Sequence, residues 1–268
     1  MTYLDGIVAA HRERAGADDR SRTEALDGAR QTAAPRPFRD ALAATTGVAL
    51  IAEVKRRSPS KGDLAPGLDP ATLARAYEAG GAACLSVLTD GPYFGGSPAD
   101  LGAAREAVAI PVLRKDFTVD EVDVCDARLM GADAVLLIVA ALDDAELRAF
   151  VQLAAELDLA ALVEVHDTAE VERALAAGAD LIGVNQRDLT TFAVENHRAL
   201  DLVAQLPAGV VRVAESGITG PADVIALADG GYDAVLVGET LVTSDDPEAT
   251  TASLVAAGIG HGGGRGDG

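Results

Sequence analysis

Of the 22 basic residues in this chain of 268, only Lys55, Lys61 and Lys115 are lysines; the rest are arginine. An arginine keeps its proton at any ordinary pH, whereas a lysine releases it once its surroundings lower its pKa. Lys55 ends the run Ile51-Ala52-Glu53-Val54-Lys55, and Lys115 stands in Leu113-Arg114-Lys115-Asp116-Phe117. Carboxylates and an amide occupy comparable places: Glu164 in Val163-Glu164-Val165-His166, Asn185 in Gly183-Val184-Asn185-Gln186, and Glu215 in Ala214-Glu215-Ser216-Gly217. A charge inside an apolar run is costly unless it is paired or functional. Glu53 with Lys55 alone reads as an ion pair at a rim. All six groups converging reads as an acid–base site, because burial and crowding move such pKa values towards neutrality.

The elements that must position them are legible from periodicity. Eight short runs rich in Val, Leu and Ile recur: Val48–Lys55, Cys84–Asp90, Val112–Phe117, Ala134–Ala140, Ala161–His166, Leu181–Gln186, Val211–Ser216 and Ala234–Glu239. They are nearly continuous rather than alternating, as strands buried on both faces are. Helical spacing fills the intervals, most clearly over Asp69–Gly80, Asp143–Glu156 and Asp167–Ala177. Asp69-Pro70 and Gly220-Pro221 read as helix starts, and Thr118 with Glu121 as a capping box. Gly131-Ala132-Asp133, Gly178-Ala179-Asp180, Gly231-Tyr232-Asp233 and Gly80-Gly81 close helices with a glycine and lead into a strand. Strand–helix alternation repeated eight times predicts one α/β domain over residues 1–257, a closed (β/α)8 (TIM) barrel. An open doubly wound sheet is the alternative, but the first strand lacks a glycine-rich turn into a helix. Residues 1–47 form an N-terminal helical extension, with helices over Tyr3–Gly16 and Arg20–Ala33 across the bottom or rim. The tail 258–268 is glycine-rich and expected to be disordered; its HGGG and RGD strings lack the context those motifs need.

In such barrels the strand C-termini build the active site, and the loops after strands seven and eight bind phosphate through backbone N–H groups. Glu53, Lys55, Lys115, Glu164, Asn185 and Glu215 all fall at those ends. Ser216-Gly217 and Gly238-Glu239-Thr240 fall in the two phosphate loops, and Ser58 and Lys61 are placed to close over the same anion. With Ile51, Glu53 and Lys55 face the lumen, while Ala52 and Val54 face helices.

Bulk properties bound the partners. The net charge of −20 argues against nucleic acid. The longest apolar run, Ala134–Leu142, is far short of the about 20 residues that span a bilayer. No signal peptide is read, so a cytoplasmic protein is expected. Cys84 and Cys125 read as free buried thiols. His166 reads as a rim or capping residue, and no metal site is expected.

Several segments resemble the indole-3-glycerol-phosphate synthase family: Glu53-Val54-Lys55-Arg56-Arg57-Ser58-Pro59-Ser60-Lys61-Gly62, Ser86–Asp90, Phe94-Gly95-Gly96-Ser97, Pro111–Phe117, Leu162–His166, Ile182–Asn185, Val213–Gly217 and Val237-Gly238-Glu239. The likeness runs in order from about Leu4 to Ala257. It implies decarboxylating and dehydrating ring closure of 1-(2-carboxyphenylamino)-1-deoxyribulose 5-phosphate to indole-3-glycerol phosphate, CO2 and water in tryptophan biosynthesis. It implies no cofactor or metal, and a monomer or weak homodimer. By the same resemblance Lys115 is the general acid that protonates the ketone. Lys55 and Arg187 are candidates for the anthranilate carboxylate. Lys55 and Glu164 form the dehydrating pair, with Glu53 as a second candidate base or an orienting group. Asn185 positions Glu164 and substrate; Glu215 and Ser216 hold the hydroxylated chain and phosphate. Phe94 and Phe117 pack on the aromatic ring, or Phe117 belongs to the core. Gln186 stands where many relatives have Asn, Thr240 where they have Ser, and no tryptophan is present to serve a lid. The length leaves no room for a fused second barrel.

Two readings stand beside this one. Lys115 could be a Schiff-base amine in another phosphosugar barrel, or the chain could bind a phosphoanion without catalysis. The acidic surface likewise reads either as a solubility device or as adaptation to a salt-rich cytoplasm. Under the second reading the thermal unfolding midpoint climbs between low and molar KCl; a midpoint that barely moves leaves solubility as the explanation.

Overall fold

The computed structural model describes residues 2–188 and 193–259. Eight strands appear where the apolar runs predicted them: β1 (Ala49–Val54), β2 (Cys84–Leu88), β3 (Val112–Lys115), β4 (Ala134–Ile138), β5 (Ala160–Val165), β6 (Leu181–Asn185), β7 (Val211–Glu215) and β8 (Ala234–Val237). Each pairs in parallel with the next, and β8 closes against β1 with Ile51 opposite Leu236. This is the expected (β/α)8 barrel. The ladders stop short of the polar residues that end most runs, which leaves those side chains to the loops above the barrel.

Strand parity sorts the core into two layers. Leu50, Ala52 and Val54 join a large cluster between strands and helices. Ala49, Ile51, Leu113, Leu136, Leu162, Val213 and Leu236 fill the lumen. The glycine-ended helices behave as read: Gly81, Gly131, Gly178 and Gly231 each take a left-handed φ, between 86° and 96°. Asp69 caps the helix Pro70–Ala79, accepting from the Thr72 N–H at 2.7 Å.

One helix start departs from the sequence reading. The helix Glu121–Leu129 is capped by Asp120, with Asp123 returning the bond to the Asp120 N–H, and not by Thr118 with Glu121. An ionised aspartate two residues further on is the stronger acceptor. The chain up to Val119 is thereby left for the loop over the barrel, and Thr118 is buried with its hydroxyl unpaired among the described residues.

The N-terminal extension is divided among top, side and bottom. Helix α1 (Tyr3–Gly16) lies on the catalytic rim. There Arg12 bonds the Ala141 carbonyl and Glu146, and the His11 Nε2–H donates to Asp90 at 3.0 Å. Helix α2 (Arg22–Arg30) packs on the helix Glu121–Leu129, pairing Arg22 with Glu121. A third helix, α3 (Phe38–Ala43), was not anticipated. It drives Phe38 and Leu42 into the lumen cluster and so plugs the barrel's bottom. A segment of 6 residues directly after Pro37 shows too little periodicity to be read from sequence. The last helix runs Pro247–Gly258, and the Gly258 carbonyl accepts from the Val48 N–H just before β1. Residues 260–268 of the expected disordered tail lie outside the described residues.

The extension is anchored below by Asp133, which is fully buried. One carboxylate oxygen accepts from the Arg36 N–H at 2.7 Å and from Arg105 at 2.9 Å, the other from the Val112 N–H at 2.9 Å. Asp133→Ala strands these donors, and urea unfolding should show a loss of about 3 kcal/mol or more.

Candidate active site

A cavity of about 360 Å3 opens at the C-terminal ends of the strands. All the residues singled out from sequence line it: Glu53, Lys55, Lys115, Glu164 and Asn185, with Ser58, Phe94, Phe117, Arg187, Glu215, Ser216, Gly217, Gly238 and Thr240. The strands bring them together because lumen-facing positions at the ends of five different strands converge on one axis.

At its floor lies a knot of buried charge. The Lys115 Nζ stands 3.2 Å from Glu164 Oε2 and 3.6 Å from Glu215 Oε2. The Asn185 amide donates to Glu164 Oε1 at 3.0 Å, and Lys55 pairs with Glu53 at 2.7 Å. Burial alone would lower the Lys115 pKa, but Glu164, Glu215 and Glu53 override it and raise it, so Lys115 is a held ammonium. Burial likewise opposes ionisation of Glu164, yet Lys115, His166 and the Asn185 bond keep its pKa below the usual carboxylate value. Glu215 resolves the other way. Burial, then repulsion from Glu164, pushes it up to about 8 against the pull of Lys115, so near neutrality it keeps its proton. Its Oε1 has no hydrogen-bond partner among the described residues and lies against Gly183, where a Cβ would come within 2.0 Å of it.

Above this knot sit the two glycine loops. Ser216 and Gly217 both adopt left-handed backbone, at φ 67° and 73°, the first an uncommon conformation for a residue with a side chain. Gln186 donates to the Ser216 carbonyl at 2.8 Å and steadies that turn. A Cβ at Gly217 would fall 2.5 Å from Asn196 Oδ1, and one at Gly238 would fall 2.2 Å from Glu53 Oε2. The Thr240 hydroxyl donates to the Ile218 carbonyl at 2.7 Å and ties the loops to each other. The Ser58 hydroxyl is buried and unpartnered among the described residues, whereas Lys61 crosses to Glu239 at 2.5 Å. Arg187 reaches Ser60 at 3.4 Å, and its N–H is fixed by Asn185 Oδ1 at 2.9 Å. The opposite wall is apolar: Phe94 and Phe117, ring centres 6.3 Å apart, with Leu88, Leu136 and Ile138.

Sequence reasoning missed the group behind that wall. His11 packs at a tilt against Phe117, ring centres 5.2 Å apart, while bonding Asp90, whose other oxygen caps the turn carrying Phe94. His11, Asp90 and Asp116 bring ligand-type atoms within 4.8 Å of one another. Every one is engaged by protein: Arg14 meets His11 Nδ1, Thr89 and Arg114 take one Asp116 oxygen, and the Phe117 N–H takes the other. The group reads as a latch between α1 and the aromatic wall. Only contact across 79 residues of chain reveals it, since His11 carries no local signal. Asn196 and Thr219, which also line the cavity, lie in loops without periodicity.

Paired glycine loops over a lysine–carboxylate knot at a barrel mouth form a site of the kind that phosphate-binding enzymes with acid–base chemistry use. Comparison with known proteins narrows this. A profile described as "Indole-3-glycerol phosphate synthase" matches residues 4–254. Proteins of that name from Mycobacterium ulcerans and Streptomyces coelicolor, the latter numbered 1, are 52% and 51% identical; each alignment covers 96% of this chain, and 95% and 96% of the relative. Among solved structures, a 3-hexulose-6-phosphate synthase shares the fold at TM-score 0.62 and 18% identity, covering 78% of this chain and 99% of that one. A thiamine phosphate pyrophosphorylase from Pyrococcus furiosus does so at 0.60 and 18%, covering 78% and 95%. The chain belongs to the indole-3-glycerol phosphate synthase family. It is accordingly a decarboxylating lyase of tryptophan biosynthesis.

The Glu215 proton has a consequence for stability. The folded chain holds it up to about pH 8, whereas an unfolded glutamate releases it near 4.5. Its contribution is therefore complete below about pH 4.5 and lost as pH rises through about 8. Urea unfolding across that interval should show stability declining with pH, and less steeply in Glu215→Gln.

Proposed function

We propose that this site closes the indole ring of 1-(2-carboxyphenylamino)-1-deoxyribulose 5-phosphate by general acid–base catalysis, with Lys115 and Glu164 as its central pair. The phosphate sits against Ser216-Gly217 and Gly238-Glu239, where glycine lets backbone N–H groups approach an anion. Thr240 and the Gln186-braced turn hold those loops in place, and the Ser58 hydroxyl is available to the anion. The anthranilate ring lies on Phe94 and Phe117, and its carboxylate faces Lys55 and Arg187.

Lys115 donates its proton to the ketone oxygen as the ring carbon bearing the carboxylate attacks the carbonyl carbon. The carboxylate then departs as CO2, leaving its electron pair to restore the ring. In the second stage Lys55 protonates the departing hydroxyl, water leaves, and Glu164 takes the proton that completes the indole. Glu53, bound to Lys55 at 2.7 Å, orients that lysine, so Glu164 is the better placed base. Asn185 aims Glu164, and protonated Glu215 donates to a hydroxyl of the sugar-derived chain.

The observation that carries this reading is the 3.2 Å Lys115–Glu164 pair, buried above the lumen core and facing the cavity. It also separates the reading from Schiff-base chemistry. A nucleophilic amine must be unprotonated, and three carboxylates around Lys115 favour the opposite state.

The protein, given the substrate without metal or cofactor, should generate indole fluorescence. Lys115→Ala should lose about 10²- to 10⁴-fold in kcat. Borohydride should trap no adduct on Lys115; trapping, or undiminished turnover of the variant, would falsify the acid role.

A further inference from the structure

His166 has no part in the reaction as described, and it does not line the cavity. It follows Glu164 by two residues, just past the end of β5, so both side chains leave the chain on the same side. Its Nε2 is buried 3.6 Å from Glu164 Oε1 and makes no hydrogen bond among the described residues. Its Nδ1 is held at 3.0 Å by Glu170 Oε2, which also accepts the His166 backbone N–H at 2.7 Å. Glu170 thus fixes the ring and aims Nε2 at Glu164. The charged groups facing the imidazole are Glu164 and Glu170, which favour its cationic form, and Arg198, which opposes it. The carboxylates outweigh both burial and Arg198, and the His166 pKa is raised.

The two-stage reaction creates a need for a second cation. Lys115 spends its proton in the first stage and is then neutral. Glu164, 1% exposed, would at that point be a buried carboxylate without an ionic partner. Burial then drives it to take a proton, and a protonated Glu164 cannot serve as base in the second stage. We propose that His166 is a positioning residue: held by Glu170, it is the standing counter-ion that keeps Glu164 ionised between ring closure and dehydration. Each proton in the reaction remains as assigned above; His166 stays protonated throughout and transfers none.

This inference rests on the function proposed above, and one experiment separates the two. CO2 release and indole fluorescence are followed in single turnovers of wild type, His166→Asn and Glu170→Gln, with pH profiles of kcat. In wild type the two signals should rise together. In His166→Asn indole should lag CO2, because the hydroxylated intermediate waits for its base. The acidic limb of the profile should move up by about one unit or more, as expected when an opposite charge within about 4 Å is removed. Glu170→Gln, which frees the ring without removing it, should shift the limb in the same direction by less, and it supplies the answer if the histidine variant does not fold. KM should change little in both. If wild type makes no indole, the synthase reading fails. If wild type is active but both variants keep its acidic limb and release CO2 and indole in step, His166 is a packing residue and only this inference falls.

Discussion

The site depends on the cost of burying like charges together. Glu53, Glu164 and Glu215 meet within a barrel mouth that excludes most water, and they cannot all remain ionised on equal terms. Lys115 resolves the conflict. As a held ammonium it keeps Glu164 ionised, and burial together with repulsion from that carboxylate leaves the proton on Glu215 against the pull of Lys115. The base Glu164 and the hydrogen-bond donor Glu215, two glutamates, therefore differ by their surroundings rather than by their chemistry.

The rest of the fold protects that arrangement. The lumen below is filled with aliphatic side chains, and α3 seals the bottom with Phe38 and Leu42. Above, the strained Ser216 turn, its Gln186 brace and the bond from Thr240 to Ile218 set an anion pocket over the charge knot. Along the aromatic wall the His11–Asp90 bond carries the order of α1 into Phe94 and Phe117. The glycines are required by space as much as by conformation. A methyl group at Gly183 would collide with Glu215, and one at Gly238 with Glu53, so the backbone at these points is part of the wall against which the carboxylates rest.

Near neutrality the protein's own charge is strongly negative, yet the cavity that faces a phosphorylated anionic substrate holds lysines and arginine. Lys61 is drawn across the phosphate loops by Glu239, and Arg187 is held at the rim by Ser60 and Asn185.

Eight buried strands, their helices, the lumen-facing parity of Glu53, Lys55 and Lys115, and the convergence of all the named site residues were determined by sequence alone. Strand burial writes an unbroken apolar run, and parity along a strand is an alternation of two that no packing can change. What only the tertiary structure decided is partnership. That α1 reaches the catalytic rim through His11, that Asp120 and not Thr118 caps its helix, that Thr240 spends its hydroxyl on Ile218, and that His166 stands beside Glu164 all depend on distances between segments far apart or on competition between neighbouring acceptors. A sequence states which groups are available; which of them meet, and which proton each then keeps, follows from the electrostatics of the closed barrel.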